Sequence, residues 1–145
     1  MPNASKSRVP RVLALAALVI VPAGLAVLYR VPPTENSFYP RCLFHSLTGL
    51  HCPGCGATRC LHALLHGELA QAAAYNVLFL LLLPVLVAWG ARLWWSLLTG
   101  RPMPAWRLPP WAYRLLLVAL LAFWILRNLP FPPFTLLAPH ALSAG

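Results

Sequence analysis

The sequence predicts an all-α integral membrane protein with three transmembrane helices and a short interfacial helix after a cysteine-rich loop. Three observations lead there. The chain is 60% hydrophobic and only 9% charged, against about 25% charged residues in a soluble domain, so it cannot coat a water-facing surface. Its apolar residues gather into three long runs bounded by arginine and proline. Its reactive and turn-forming residues gather into one stretch, Leu47-Thr-Gly-Leu-His-Cys-Pro-Gly-Cys-Gly-Ala-Thr-Arg59.

The charge balance is 11 basic to 2 acidic residues, a formal charge of +9. Nucleic-acid binding would need a basic patch interleaved with polar residues. Here the arginines flank apolar runs, so membrane topology accounts for them and nucleic acid is set aside as a partner.

Taken in order, residues 1–11 form a basic tail with Lys6, Arg8 and Arg11. The first transmembrane helix is 12–29, which carries no charge and spans about 27 Å at 1.5 Å per residue. Pro22 and Gly24 interrupt it, as lipid-embedded helices tolerate. A cleaved signal peptide is the competing reading, with Gly24-Leu25-Ala26 as its small-x-small site. The run is long for such a peptide and continues through Tyr29, which favours an uncleaved anchor.

Residues 30–69 form the cysteine loop and the short helix. Val31 to Ser37 is a turn-rich exit, and Gly56 to about Gly67 reads as the helix. The second transmembrane helix is 70–98. Pro84 is expected to kink it by removing a backbone hydrogen bond. Asn76 is suited to a bond between helices or to capping, and Trp89, Trp94 and Trp95 suit an interfacial belt. A Pro/Arg linker, 99–110, leads to the third transmembrane helix, 111–127. Arg127-Asn128 is expected to meet headgroups or to close over the loop. Residues 128–145 are a proline-rich interfacial tail in which His140 is expected to be solvated.

Lys6, Arg8, Arg11, Arg92, Arg101, Arg107 and Arg114 fall on one side of these spans, and Arg30, Arg41, Arg59 and Arg127 on the other. The positive-inside rule then places the N-terminus and the 99–110 linker in the cytoplasm. The cysteine loop becomes extracytoplasmic.

Four chemistries are open to that loop. Cys52-Pro53-Gly54-Cys55-Gly56 has the form of a metal knuckle, in which a glycine-rich turn aims two thiolates at one ion such as zinc. A second Cys-x-x-Cys is absent, so the remaining ligands must come from Cys42, His45, His51, Cys60, His62 and His66. At 100° per residue Cys55, Arg59, His62 and His66 share an arc of about 60°. Cys52, Cys55, His62 and His66 thus make one possible quartet, with the Arg59 charge against it. In the second chemistry, Cys52 and Cys55 at a helix N-terminus have a lowered thiol pKa and act as a thiol–disulfide oxidoreductase, although no thioredoxin-like pattern surrounds them. In the third, disulfides staple a structural loop, Cys42–Cys60 with Cys52–Cys55 being one of three connectivities. In the fourth, Thr58 and Arg59 at the helix start bind an anion or a lipid headgroup. Outside the turn, His62 and His66 read first as interfacial helix residues, and Glu68 as a partner for Arg59 or a neighbouring cation.

The run Pro40-x-Cys42-x-Phe44-x-x-Leu47-Thr48-Gly49-Leu50-x-Cys52-Pro53-Gly54-Cys55-Gly56-x-Thr58-Arg59, followed by Gly67 and Ala74-x-Asn76, resembles domain-of-unknown-function family 2752. That family consists of small bacterial inner-membrane proteins with a Cys-Pro-x-Cys-Gly-x-Thr-Arg loop ahead of a transmembrane helix. The resemblance covers about residues 40 to 84 and departs at Asn76-Val77, where the family has asparagine–proline. It implies an inner-membrane location and marks Cys52, Cys55, Thr58 and Arg59 as the site, with His62 and His66 outside the motif. It implies no activity. The working function is non-enzymatic: a membrane scaffold or partner-binding protein, whose partner is another membrane protein or a further copy of the chain in a homo-oligomer. Its loop, built on Cys42, Pro53, Gly54, Gly56, Cys60 and Asn76, is held by disulfide or metal.

Overall fold

The computed structural model describes residues 8–34, 37–101 and 109–142, with side chains from Val12 onward. Most of the basic tail, the centre of the 99–110 linker with Arg107, and the last residues of the tail lie outside the described residues. Every regular element described is helical. They are α1 (Arg8–Arg30), α2 (Leu43–Thr48), α3 (Ala57–Leu65), α4 (Leu69–Thr99) and α5 (Pro110–Leu126), followed by one 3₁₀ turn at Phe134–Leu137.

Two of these helices are long and apolar enough to cross a membrane, α1 over Val12–Arg30 and α4 over Leu69–Thr99. Only 11% of each apolar window is buried inside the protein, so their leucines and valines need an apolar solvent. The third expected span, α5, has 17 residues and rises about 26 Å, short of a hydrocarbon core of about 30 Å. Three spans are therefore an expectation that the helix lengths meet only in part.

The helix break lies at Asn76, not at Pro84. Asn76 leaves the helix with extended backbone (φ −165°, ψ 92°), while Pro84 is accommodated within α4. The reason is capping. Asn76 Oδ1 accepts the backbone N–H of Phe79 at 2.9 Å, the bond an N-cap asparagine makes to a restarting helix. Beyond the break, Val77–Thr99 rises about 35 Å, enough to cross a bilayer with some tilt.

α1 and α4 run antiparallel. Trp94 Nε1 donates to the Ala14 carbonyl at 2.8 Å near one end, and at the other end His62 of α3 bonds to the Leu28 carbonyl. The core is small: Cys60, Ala63 and Ala72, packed by Leu64, Tyr75, Phe79 and Leu80. Short side chains at these positions let α3 lie close on the first turns of α4. The end of α1, the start of α4 and the end of α5 thus converge, and the cysteine loop sits on that convergence.

The tail differs from expectation. Gln71 Nε2 donates to the His140 carbonyl at 3.0 Å, and Gln71 Oε1 accepts the Leu142 N–H at 2.8 Å. His140 also donates its N–H to the Ala74 carbonyl at 3.4 Å. His140 is therefore half-buried rather than solvated. One glutamine satisfies two backbone groups of a segment that has no helix or strand to pair with.

Candidate functional site

α2 exists because Cys42 precedes it with extended backbone and Gly49 ends it in the left-handed region, φ 73°. This places the Cys42 sulfur at the start of a helical turn, where N–H groups are free to point at it. The backbone N–H of His45 is the main cause of a lowered Cys42 pKa. It outweighs burial and is helped by the thiols of Cys55 and Cys52 and by the Phe44 N–H.

The second sulfur pair comes from a tight turn. The Cys55 N–H donates to the Cys52 carbonyl at 3.1 Å, and the Cys52 N–H donates to Cys55 Sγ at 3.2 Å. The turn must end on glycine. Gly56 sits at φ 85°, and a Cβ there would run into the Tyr75 carbonyl oxygen and lie 3.2 Å from Pro139. α3 starts immediately after it.

Three thiols meet as a result. Cys42 Sγ lies 3.4 Å from Cys52 Sγ, and Cys52 Sγ lies 3.2 Å from Cys55 Sγ. All three sulfurs fall within 4.8 Å of one another. A tetrahedral ion with metal–sulfur bonds of about 2.3 Å holds its sulfurs about 3.8 Å apart, so the triad needs only small displacements to share one ion. Cys55 is 8% exposed. Burial first, then the Cys52 and Cys42 thiols, push its thiol up to about 12, the reverse of the lowering expected for Cys55 at a helix N-terminus.

The floor of the loop is polar and closed. Arg127 Nη1 donates to the carbonyls of Cys52 and Pro53 at 2.9 and 3.2 Å, and Nη2 to that of Cys55 at 3.1 Å. Asn76 Nδ2 donates to the Pro53 and Cys55 carbonyls at 2.8 and 3.1 Å. Asn128 exchanges two hydrogen bonds with the His51 backbone. Arg127 and Asn76 are each 1% exposed. The turn's carbonyls point down into these donors while the sulfurs face the other way, along a cavity of about 730 Å³.

That cavity is lined by the three thiols and by His45, His51, Thr58 and Arg59, with Pro33, Tyr39 and Pro139 among its walls. No carboxylate lines it among the described residues. Arg59 is anchored by Nε to the Pro33 carbonyl at 3.1 Å, so it braces the loop's exit rather than pairing with Glu68. His45 and His51 stack with centroids 4.5 Å apart. Burial, then the charges of His45 and Arg127, hold His51 below the ordinary imidazole value.

Several expected residues are placed elsewhere. His62 and His66 do not join Cys52 and Cys55 in a quartet. His62 Nδ1 bonds to the Leu28 carbonyl at 2.6 Å, and His66 stacks on Tyr29 at 4.3 Å. A helix-wheel arc groups side chains by direction alone, and here the last turn of α1 occupies that direction. Cys60 does not approach Cys42; it is fully buried, with Sγ 3.7 Å from the Asn76 carbonyl. Of the candidate ligands, Cys42 is the one that joins Cys52 and Cys55 in the cluster. The clamp of Arg127 and Asn128 closes beneath the loop rather than facing headgroups. Its sequence signals were a polar pair at the end of an apolar helix and a weaker resemblance of Arg127-Asn128 to the end of family 2752.

No curated protein and no solved structure matches the chain. Residues 42–90 match the family model described as Protein of unknown function (DUF2752), so the family the loop resembles is borne out over the segment holding all four cysteines, α3 and most of α4.

Proposed function

We propose that this chain is a membrane-anchored metal-thiolate protein, binding one thiophilic ion through Cys42, Cys52 and Cys55 at the extracytoplasmic face of a bacterial inner membrane. The observation that carries this reading is the convergence of three sulfurs within 4.8 Å. Two come from one turn, and the third comes from a separate helix start ten residues earlier. A purely structural turn has no need of a third thiol there. The sulfurs border an open cavity, so an ion held by Cys42, Cys52 and Cys55 would be reachable by a further ligand from the solvent side, as in sites that exchange a ligand. Two apolar helices carry the site to the membrane, and the arginine distribution orients it outward.

The test is metal analysis of the protein purified in detergent, with mass-shift labelling of its thiols. One equivalent of bound zinc-class ion, lost together with the Cys42→Ser, Cys52→Ser or Cys55→Ser change, is the expected result. Absence of metal together with a Cys52–Cys55 disulfide that cycles in cells would replace this reading with thiol–disulfide exchange.

A further inference from the structure

The buried guanidinium of Arg127 has no counter-charge among the described residues. It is 1% exposed and bonds three carbonyls. Its Nε has no hydrogen-bond partner, and the group lies 4.8 Å from the centre of the Phe123 ring. The chain has two acidic residues in all, Glu35 and Glu68, and no bond from Arg127 to a carboxylate is found among the described residues. A fixed charge out of water needs a partner of opposite sign. The two residues whose carbonyls it holds most tightly bracket the turn, Cys52 and Cys55, and both carry sulfurs of the triad.

We propose that Arg127 is the counter-ion of the metal-thiolate centre and makes the site selective for divalent ions. The inference rests on the metal-centre reading above. Binding of a divalent ion replaces three thiol protons, Zn²⁺ + 3 RSH giving Zn(SR)₃⁻ + 3 H⁺, and leaves one net negative charge. That charge cancels the one positive charge beneath the loop. A trivalent centre leaves no charge to cancel: arsenite reacts as As(OH)₃ + 3 RSH to give As(SR)₃ + 3 H₂O, a neutral product. Arg127 therefore separates the two chemistries on the same three sulfurs. It acts through the turn and not by contact with the ion, so it is a positioning and charge-balancing residue.

The experiment compares Zn²⁺ and arsenite affinity in detergent-purified wild type, Arg127→Gln, Arg127→Lys and Asn76→Ala. Arg127→Gln is expected to lose Zn²⁺ affinity by at least about tenfold, the scale of an uncompensated buried charge, while arsenite affinity stays within about twofold of wild type. Arg127→Lys, which keeps the charge, retains most Zn²⁺ affinity. Asn76→Ala removes bonds to the Pro53 and Cys55 carbonyls without touching charge. Its losses, if any, fall equally on both probes. Equal loss of both probes in Arg127→Gln would make the residue a mere brace of the loop and overturn the inference. So would a Zn²⁺ affinity unchanged in that variant. Failure of wild type to bind Zn²⁺ at all would instead remove the metal-centre reading on which it stands.

Discussion

Asn128 holds the backbone of His51 on both sides: Oδ1 accepts the His51 N–H at 2.8 Å, and Nδ2 donates to the His51 carbonyl at 2.9 Å. A side chain at the end of α5 thus does for the cysteine loop what a neighbouring strand does in a sheet. Nδ2 also donates to the Trp124 carbonyl at 2.8 Å, which fixes the amide's orientation. The consequence is that α5 sets the height of Cys52 although no thiol lies on it.

Removing that latch should loosen the thiols selectively. Asn128→Ala leaves two half-buried backbone groups without partners and is expected to cost about 1–3 kcal/mol. Thermal unfolding in detergent should show the loss, and Cys55 labelling by a small maleimide should speed up several-fold. An unchanged Cys55 rate would mean that the latch does not position the turn.

Two glycines with the same backbone sign should respond very differently. Gly56 and Gly67 both have positive φ, 85° and 79°. A Cβ on Gly67 meets nothing within 4 Å, whereas one on Gly56 meets the Tyr75 carbonyl and Pro139. Gly67→Ala is expected to cost about 1 kcal/mol from conformation alone. Gly56→Ala adds a steric conflict between α3, α4 and the tail and should cost several-fold more, read as loss of folded protein after detergent extraction.

The thiols should separate by pH once metal is removed with a chelator. The His45 backbone N–H holds the Cys42 thiol below the ordinary thiol value of 9.0, so its thiolate is present at lower pH and it should be alkylated first. Cys55, pushed up to about 12, should resist until strongly alkaline pH. Cys60, raised by burial, should react only on unfolding. The stability consequences have opposite signs. Cys42 contributes stability that is present above 9.0 and lost as pH falls through its lowered value. Cys55 contributes stability that is present below 9.0 and lost as pH rises towards about 12. Residue-resolved alkylation rates across pH 6 to 11 would check the order. Labelling of Cys55 ahead of Cys42 would contradict it.

Acid should weaken the loop through His51. Burial, then the neighbouring charges of His45 and Arg127, hold its folded pKa below the ordinary imidazole value of 6.5, so its contribution is complete above 6.5 and disappears as pH falls through the folded value. Melting temperature is expected to drop on the acid side in wild type, and to drop less in His51→Gln.

Topology has its own test. With the thiol loop outside and the 99–110 linker inside, alkaline phosphatase fused after Leu69 should be active and fused after Arg101 inactive. The reverse pattern would place the thiols in a reducing compartment.

The division between chain and fold runs through particular residues. Long charge-free runs, the punctuation by Pro and Gly, and the Cys52–Cys55 spacing are local properties, and local chemistry alone was enough to place α1, α3, α4 and the turn. The family resemblance rests on the same contiguous stretch. The third thiol was different. Cys42 stood among several candidate ligands, and only the packing of α2 against the turn selected it over His62 and His66, which the last turn of α1 claims. The Asn76 break was likewise settled by partners 21 and 23 residues earlier, at Cys55 and Pro53. Arg127 and Asn128 carry the longest-range part, reaching back more than 70 residues to the turn. A one-dimensional pattern records which way a side chain points on its own helix. It does not record which other helix arrives to meet it, and in this protein that meeting of three helix ends beneath one turn is what gathers the sulfurs.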